Sequence, residues 1–339
     1  MTAGDSAIAN FLESCGWRGA ERCLLAADAS FRRYDRVAIG GRTAVLMDAP
    51  PDKEKPLAFL QVAGMLQALG LSAPRIHRAD LERGLLLLED FGDRTFTRAL
   101  TEGAAEEELY ALATDALIQL HRGWRPELAQ NSALPLYDEA MQLREVDLFL
   151  EWYLPAVRGE GVSETEAEAF RAAWAEALPP ARDFPETLVL RDYHVDNLMV
   201  LTGREGAAAC GLLDFQDAAL GSPAYDLASL VKDDRRDIED TLRNAMIDRY
   251  LAAFPELDRV RLRRAVTLLG AQRHTKNIGI FTRLCRRDGK PGYLHHISRL
   301  WREIERACAE EPALAPVQAW FDRALPAGMR RVPEAGAAA

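Results

Sequence analysis

Residues 188–214, LVLRDYHVDNLMVLTGREGAAACGLLD, constrain the fold of this chain more than any other stretch. Two apolar runs flank a Gly-Arg-Glu-Gly turn signal, the pattern of a hairpin. Polar groups buried between such runs are costly unless they are paired or bound to something. With residues 203–208 as the loop, pairing places Asn197 beside Asp214, although 17 positions separate them in sequence. Asp192 falls in the loop that feeds the first strand. Two oxygen-bearing side chains at one end of a hairpin suit a hard divalent cation such as Mg²⁺, and the third is left to act on a substrate hydroxyl. The order D-x-x-x-x-N and then D-F-x is the arrangement of kinase-type phosphoryl transfer, in which the first Asp positions the nucleophile and Asn and the second Asp hold metal.

The rest of the chain gives that hairpin a setting. A short helix is expected at 5–15, then strands at about 21–26, 31–39 and 42–48 separated by small residues and by Gly40 and Gly41. Helical spacing at 57–70 ends at Gly70, and an extended segment from Pro74 runs into GLLLLEDFG. From 93 to about 183 the patterns are helical, with a Pro-, Gln- and Asn-bearing loop near 126–137. A strand pair at 186–214 interrupts, and helices follow from about 224 to 325. The expected fold class is therefore α+β, with two lobes: residues 1–91 as a small antiparallel-sheet lobe, 92–325 as a mostly helical lobe, and 326–339 as a disordered tail. The joint between the lobes is the natural place for a cleft.

Composition removes other classes. Forty-two basic against fifty-two acidic residues give a net charge of -10, which argues against a general nucleic-acid binder. No run approaches the ~18 apolar residues of a membrane span, and the first residues lack the apolar core of a signal peptide. Five scattered cysteines without CxxC spacing suggest neither a zinc site nor a disulfide framework, and a cytoplasmic setting is expected. No GxxxxGK[ST] phosphate loop occurs.

RDYHVDNLM followed by LLDFQDAALGSPAYDLASL closely resembles the aminoglycoside-phosphotransferase-like branch of the protein-kinase fold, over about residues 20–320. DASFRRY, LMDAPP, LLLLEDFG and LLDFQDA look most like its anomeric sugar kinases, which act on N-acetylmuramate and N-acetylglucosamine in cell-wall recycling. The resemblance implies Asp192 as catalytic aspartate, Asn197 and Asp214 as metal ligands, and ATP with Mg²⁺ as cofactors. It also implies a phosphate loop at 26–34 with Ser30, Arg32 and Arg33, a hinge at 87–91 with Glu89 and Phe91, and a loop brace at Tyr225 and Asp226. The partners would be a nucleotide and a small sugar, and the chain is expected to be a monomer.

Two positions depart from the family pattern. Leu190 stands where a His usually precedes the catalytic Asp, and Met47 where a strand lysine usually meets the phosphates. Arg32 or Arg33 is then the expected substitute cation. For the acceptor, residues 271–300 carry seven basic side chains against one acid, Asp288. Arg273, Lys276 and Arg283 share one side of a helix there and, with Asp217, are expected to meet the substrate, although a solvated basic face is the plain alternative. His121 reads as a core histidine and His194 as a structural neighbour of the site.

Other functions remain open at this level. Aminoglycoside, choline and homoserine are the alternative acceptors. Asp192-Tyr-His194 has the D-x-H spacing of metal phosphoesterases, without their later His clusters, and the missing lysine admits an inactive nucleotide-binding module.

Overall fold

The computed structural model describes residues 3–27 and 31–335. Ser30 and the neighbouring part of the expected phosphate loop lie outside the described residues. Contacts divide the chain into two compact units: Met1–Leu112, Arg122–Leu134 and Val195–Ala218 form the first, and Ala113–His121, Pro135–His194 and Ala219–Ala339 the second. The division falls elsewhere than at residue 91. The segments 92–112 and 195–218 group with the sheet.

In the first unit, helix α1 (Ala3–Ser14) precedes strands β1 (Glu21–Ala27), β2 (Arg33–Ile39) and β3 (Arg42–Asp48). Helix α2 (Pro56–Ala68) follows, opened by a proline at its first position, where the missing N–H costs nothing. Strands β4 (Ile76–Asp80) and β5 (Leu85–Leu88) complete an antiparallel sheet of order β1-β2-β3-β5-β4. Alternation assigns its two faces. Val37, Ala44, Leu46, Leu85 and Leu87 pack with Ile8, Phe11, Leu12 and Trp17. Their alternate neighbours, including fully buried Met47 and Leu86, serve the opposite face. Burial on both faces explains why β5 is four consecutive leucines. It also explains Met47, which is paired with Tyr34 and Leu86 and has no exposed surface. A lysine there would bury an ammonium among apolar groups.

The expected hairpin forms, but its strands are short. Strands β7 (Leu198–Val200) and β8 (Cys210–Leu212) pair as Leu198 with Leu212 and Val200 with Cys210. The upstream run pairs elsewhere: β6 (Thr187–Val189) joins β9 (Ala219–Gly221) in a separate two-stranded ladder of the second unit. The sequence reading of one strand pair over 186–214 is corrected accordingly, because LVL and LMV belong to two ladders.

The second unit is helical around one 30-residue helix, Arg259–Asp288. Asp258 caps its start by accepting from the Arg261 N–H, and Gly289, at φ 66°, ends it. Within it Gly279 permits a close crossing, since a Cβ would lie 2.4 Å from the Leu148 carbonyl carbon and oxygen. The segment from 326, expected to be disordered, makes a helical turn at Ala327–Met329, and Tyr153 Oη donates to the Arg331 carbonyl at 2.8 Å. No described helix is long and apolar enough to cross a membrane.

Candidate active site

The first unit holds a pocket of about 450 Å³. The sheet gives it Val45 and Leu88, the chain after β5 gives it Glu89 through Asp93, and the hairpin gives it Asn197, Met199 and Asp214. The charged side chains at Glu89 and Asp90 are already committed. Arg75 Nε and Arg204 Nη2 lie 3.3 and 2.5 Å from the Glu89 carboxylate, and Arg36 Nε lies 2.8 Å from that of Asp90. Burial pushes Glu89 upward, yet the Arg75 N–H and the Arg204 guanidinium outweigh it and hold Glu89 below the ordinary carboxylate range. Arg204 also lies 5.2 Å over the Phe91 ring, and Gly211 makes room for that ring, since a Cβ there would come within 3.0 Å of it. What remains for a planar heterocycle is the apolar wall and the backbone of 89–91.

At the hairpin end of the pocket the expected oxygen ligands come together through one backbone bond. The Leu213 N–H donates to the Asn197 carbonyl at 3.0 Å, so the next residue, Asp214, sits at the strand's open end. Asp214 holds a left-handed conformation, φ 57°, uncommon outside glycine but adopted more readily by Asp and Asn than by other residues. Phe215 anchors it by stacking on Phe59 of α2 at 4.8 Å. Asp214 Oδ1 accepts from Arg32 at 3.0 Å and from Gln216 at 2.9 Å.

Arg32 and Arg33 take opposite roles. Arg32 is buried, bonded to Asp214, with Nε 3.6 Å from Glu54, and the Glu54 carboxylate is fixed by the Phe31 N–H at 2.9 Å. Arg33 is half-exposed and pairs with Asp35, as Arg22 does. Among the described residues no group of three or more His, Cys, Asp or Glu side chains converges to hold a metal alone. A carboxylate and an amide oxygen nevertheless fit magnesium, which usually takes one or two protein oxygens and completes its shell with phosphate and water.

The second unit holds Asp192, half-buried in the loop after β6. That loop is clamped from behind. Asp226 accepts the Leu190 and Arg191 N–H groups at 2.6 and 2.9 Å, matching the expected brace. Arg191 is at φ 72°, and its carbonyl accepts from Arg273 at 2.7 Å. Its guanidinium reaches Glu145 at 2.5 Å.

Here the structure corrects the sequence reading. Arg273 and Lys276 do not offer a face to an acceptor; they are 1% and 4% exposed. Arg273 pairs with Asp234 at 3.0 Å, and Lys276 donates to Glu145 at 3.2 Å and to Tyr225 Oη at 3.1 Å. A buried charge without such a partner is strongly destabilising. Their field acts on the aspartate instead. Burial raises Asp192, but Lys276, Arg273 and Arg191 outweigh it and keep the carboxyl below its ordinary value, ionised. Lys276 and Arg191 likewise hold Glu145 down at about 2 against its burial.

The other candidates separate. Asp217 is exposed in the first unit and accepts weakly from Gln216 at 3.3 Å, whereas Arg283 lies half-buried on the long helix. His194 is buried. His121 is a core histidine, with Nδ1 2.7 Å from Tyr250 Oη and burial pushing it to about 3. Sequence reasoning missed Glu145 and Asp234. Each looks like an ordinary surface acid until its partner, far away in sequence, is seen.

Comparison with known proteins agrees with this geometry. The family model described as the phosphotransferase enzyme family matches residues 21–263. Proteins named N-acetylmuramate/N-acetylglucosamine kinase are similar along nearly the whole chain. The one from Caulobacter vibrioides is 37% identical over 96% of this chain and 98% of its own. That from Pseudomonas aeruginosa is 40% identical over 92% and 91%, and that from Neisseria meningitidis 34% over 87% of each. Solved structures share the fold at low identity. They include the GDP complex of an aminoglycoside 2'-phosphotransferase (TM-score 0.60, 14% identity, 91% of this chain and 99% of that one) and a choline/ethanolamine kinase family protein from Mesorhizobium loti (0.59, 15%, 94% and 99%).

Proposed function

From the premise that this chain belongs to the phosphotransferase enzyme family, we propose that it is a sugar kinase that moves the γ-phosphoryl group of ATP to the anomeric hydroxyl of N-acetylmuramate and N-acetylglucosamine. The kinase relatives carry the choice of sugars. The observation that carries the chemistry is that the 89–91 segment and the Asn197–Asp214 pair line one pocket.

In this reading adenine lies on the apolar wall against Val45 and Leu88, and its edge meets the backbone around Phe91. Glu89 and Asp90 hold that backbone through their arginines. Asn197 and Asp214 would hold a magnesium ion, which when bound neutralises and orients the triphosphate. Arg32, aligned by Glu54, supplies the phosphate cation that Met47 cannot; Arg33, committed to Asp35, does not. Asp192, five residues before Asn197 in the chain, accepts a hydrogen bond from the acceptor hydroxyl and orients its oxygen toward phosphorus. The anomeric hydroxyl suits a carboxylate held ionised and weakly basic, because the ring oxygen makes that hydroxyl the most acidic of the sugar.

The test is an acceptor panel with ATP and magnesium, read by ADP release and by phosphorus NMR of the product. The reading expects phosphate on the anomeric oxygen of both amino sugars and no turnover with aminoglycosides. Turnover confined to aminoglycosides, or phosphate on another hydroxyl, contradicts it.

A further inference from the structure

The β7–β8 hairpin carries the Asn197–Asp214 pair at its open end, beside the pairing of Leu198 with Leu212. Its other end meets the same pocket at a second place. There the Leu201 N–H donates to the Ala209 carbonyl at 2.9 Å, and the loop between them holds Arg204. The Arg204 guanidinium lies 2.5 Å from the Glu89 carboxylate and 5.2 Å over the Phe91 ring, and both of those residues line the pocket. Arg75 competes for Glu89 on poorer terms. Its side-chain bonds are 3.3 Å long and it is 70% exposed, against 29% for Arg204. The strands between the two ends are held along both edges. On β7 the Val200 N–H donates to the Arg94 carbonyl at 2.8 Å, and Met199 bridges to Thr95. On β8 the Leu212 N–H donates to the Ser72 carbonyl at 2.8 Å, and the Ser72 hydroxyl to the Ala208 carbonyl at 2.6 Å. Each three-residue strand spans about 10 Å. A hairpin bonded in this way behaves as one piece and fixes the spacing between the 89–91 segment and the metal-ligand pair.

We infer that Arg204 is a positioning residue for the nucleotide base: from the far end of the metal-ligand hairpin it sets the 89–91 backbone and the Phe91 ring in the place where adenine docks. The inference rests on the kinase reading above and gives the hairpin a second task, at the base end of the pocket. Arg204 acts through Glu89 and Phe91. Arginine suits both contacts, because its guanidinium binds carboxylates and stacks on aromatic faces, whereas a lysine meets only the carboxylate, as a point charge. A wall ordered in advance raises affinity by removing the cost of ordering it at binding.

The two ends of the pocket give separate readouts by calorimetry. Adenosine without magnesium reads the base end, and magnesium tripolyphosphate reads the metal end. Arg204→Met is expected to weaken adenosine about 10-fold or more, the range for a lost charge-assisted bond, and to leave magnesium tripolyphosphate within about twofold. In turnover the KM for ATP should rise by the same factor, with kcat within about twofold. Arg204→Lys is expected to recover part of the loss, and it shows the same split at smaller size if Arg204→Met does not fold. On a Glu89→Gln background Arg204→Met should add less than its full effect, as members of one network do. Equal weakening of both probes, unchanged adenosine binding, or a wild type that binds magnesium-ATP but not adenosine overturns the inference and leaves the kinase reading standing. A wild type that binds neither ATP nor adenosine overturns both.

Discussion

Asp214 and Asp192 both depend on left-handed backbone, at Asp214 itself (φ 57°) and at Arg191 just before Asp192 (φ 72°), but their surroundings differ in kind. Asp214 lies at the open end of a hairpin. Its partners there are Arg32 and Gln216, side chains whose bonds a phosphate or a metal can replace. Asp192 faces cations that are already matched: Lys276 by Glu145, Arg273 by Asp234, Arg191 by Glu145. Those pairs are deep in the second unit and have no exchangeable place for a ligand. The contrast teaches that one region is built to take up charge with its ligand, and the other to keep one carboxylate ionised and aimed.

The sharpest way to break that contrast is to remove a cation from the closed side. Lys276→Met leaves Glu145 buried with one fewer partner, and we expect a stability loss of about 3–5 kcal/mol, measured by denaturant unfolding. The protein that remains folded should show a second effect. Asp192 is held below its ordinary value, so it adds stability above its unfolded pKa, and that stability is lost as pH falls through the folded pKa. Removing Lys276 raises the folded value, so the acid limb of kcat should move to higher pH. An unmoved limb would show that Lys276 serves only the fold.

On the open side the expected effects are smaller and fall on the nucleotide. Arg32→Met should cost about 1.5–3 kcal/mol, read as roughly a 10-fold or greater loss in kcat/KM for ATP, and unfolding should show little change. Arg33→Met should change ATP kinetics less than about twofold, because Arg33 is paired with Asp35 and not with the Asp214 end of the pocket. Equal effects of the two would erase the distinction drawn from their partners. Smallest of all, Asp217→Ala should leave ATP kinetics unaltered, since Asp217 is exposed and its bond from Gln216 is long, at 3.3 Å.

How much of this the sequence discloses depends on how local each cause is. The meeting of Asn197 and Asp214 is legible because a turn signal and a period of two fix register over a short span. Burial of Met47 follows from the same alternation, once the strand is known to be central. The choice between Arg32 and Arg33 is not legible. It turns on where β2 starts, at Arg33, a boundary that sequence patterns place only within a few residues. Arg273 and Lys276 were harder still. A charge-rich helix reads as a solvated face, and only tertiary packing shows this one enclosed on every side from Leu268 to Gly279. Their counter-charges, Asp234 and Glu145, lie 39 and 131 positions away. Local spacing carries no trace of such pairs.

The central claim is that the open site binds and the closed site acts. Calorimetric titration of magnesium and ATP into Asp192→Asn and Asp214→Ala, with turnover measured on the same samples, tests it directly. The account predicts that Asp192→Asn binds nucleotide as the wild type does while kcat falls about 10²- to 10⁴-fold, the range for a lost acid–base group. It predicts that Asp214→Ala loses the magnesium-dependent part of binding. Near-normal turnover in Asp192→Asn, or unchanged magnesium-dependent binding in Asp214→Ala, would contradict it.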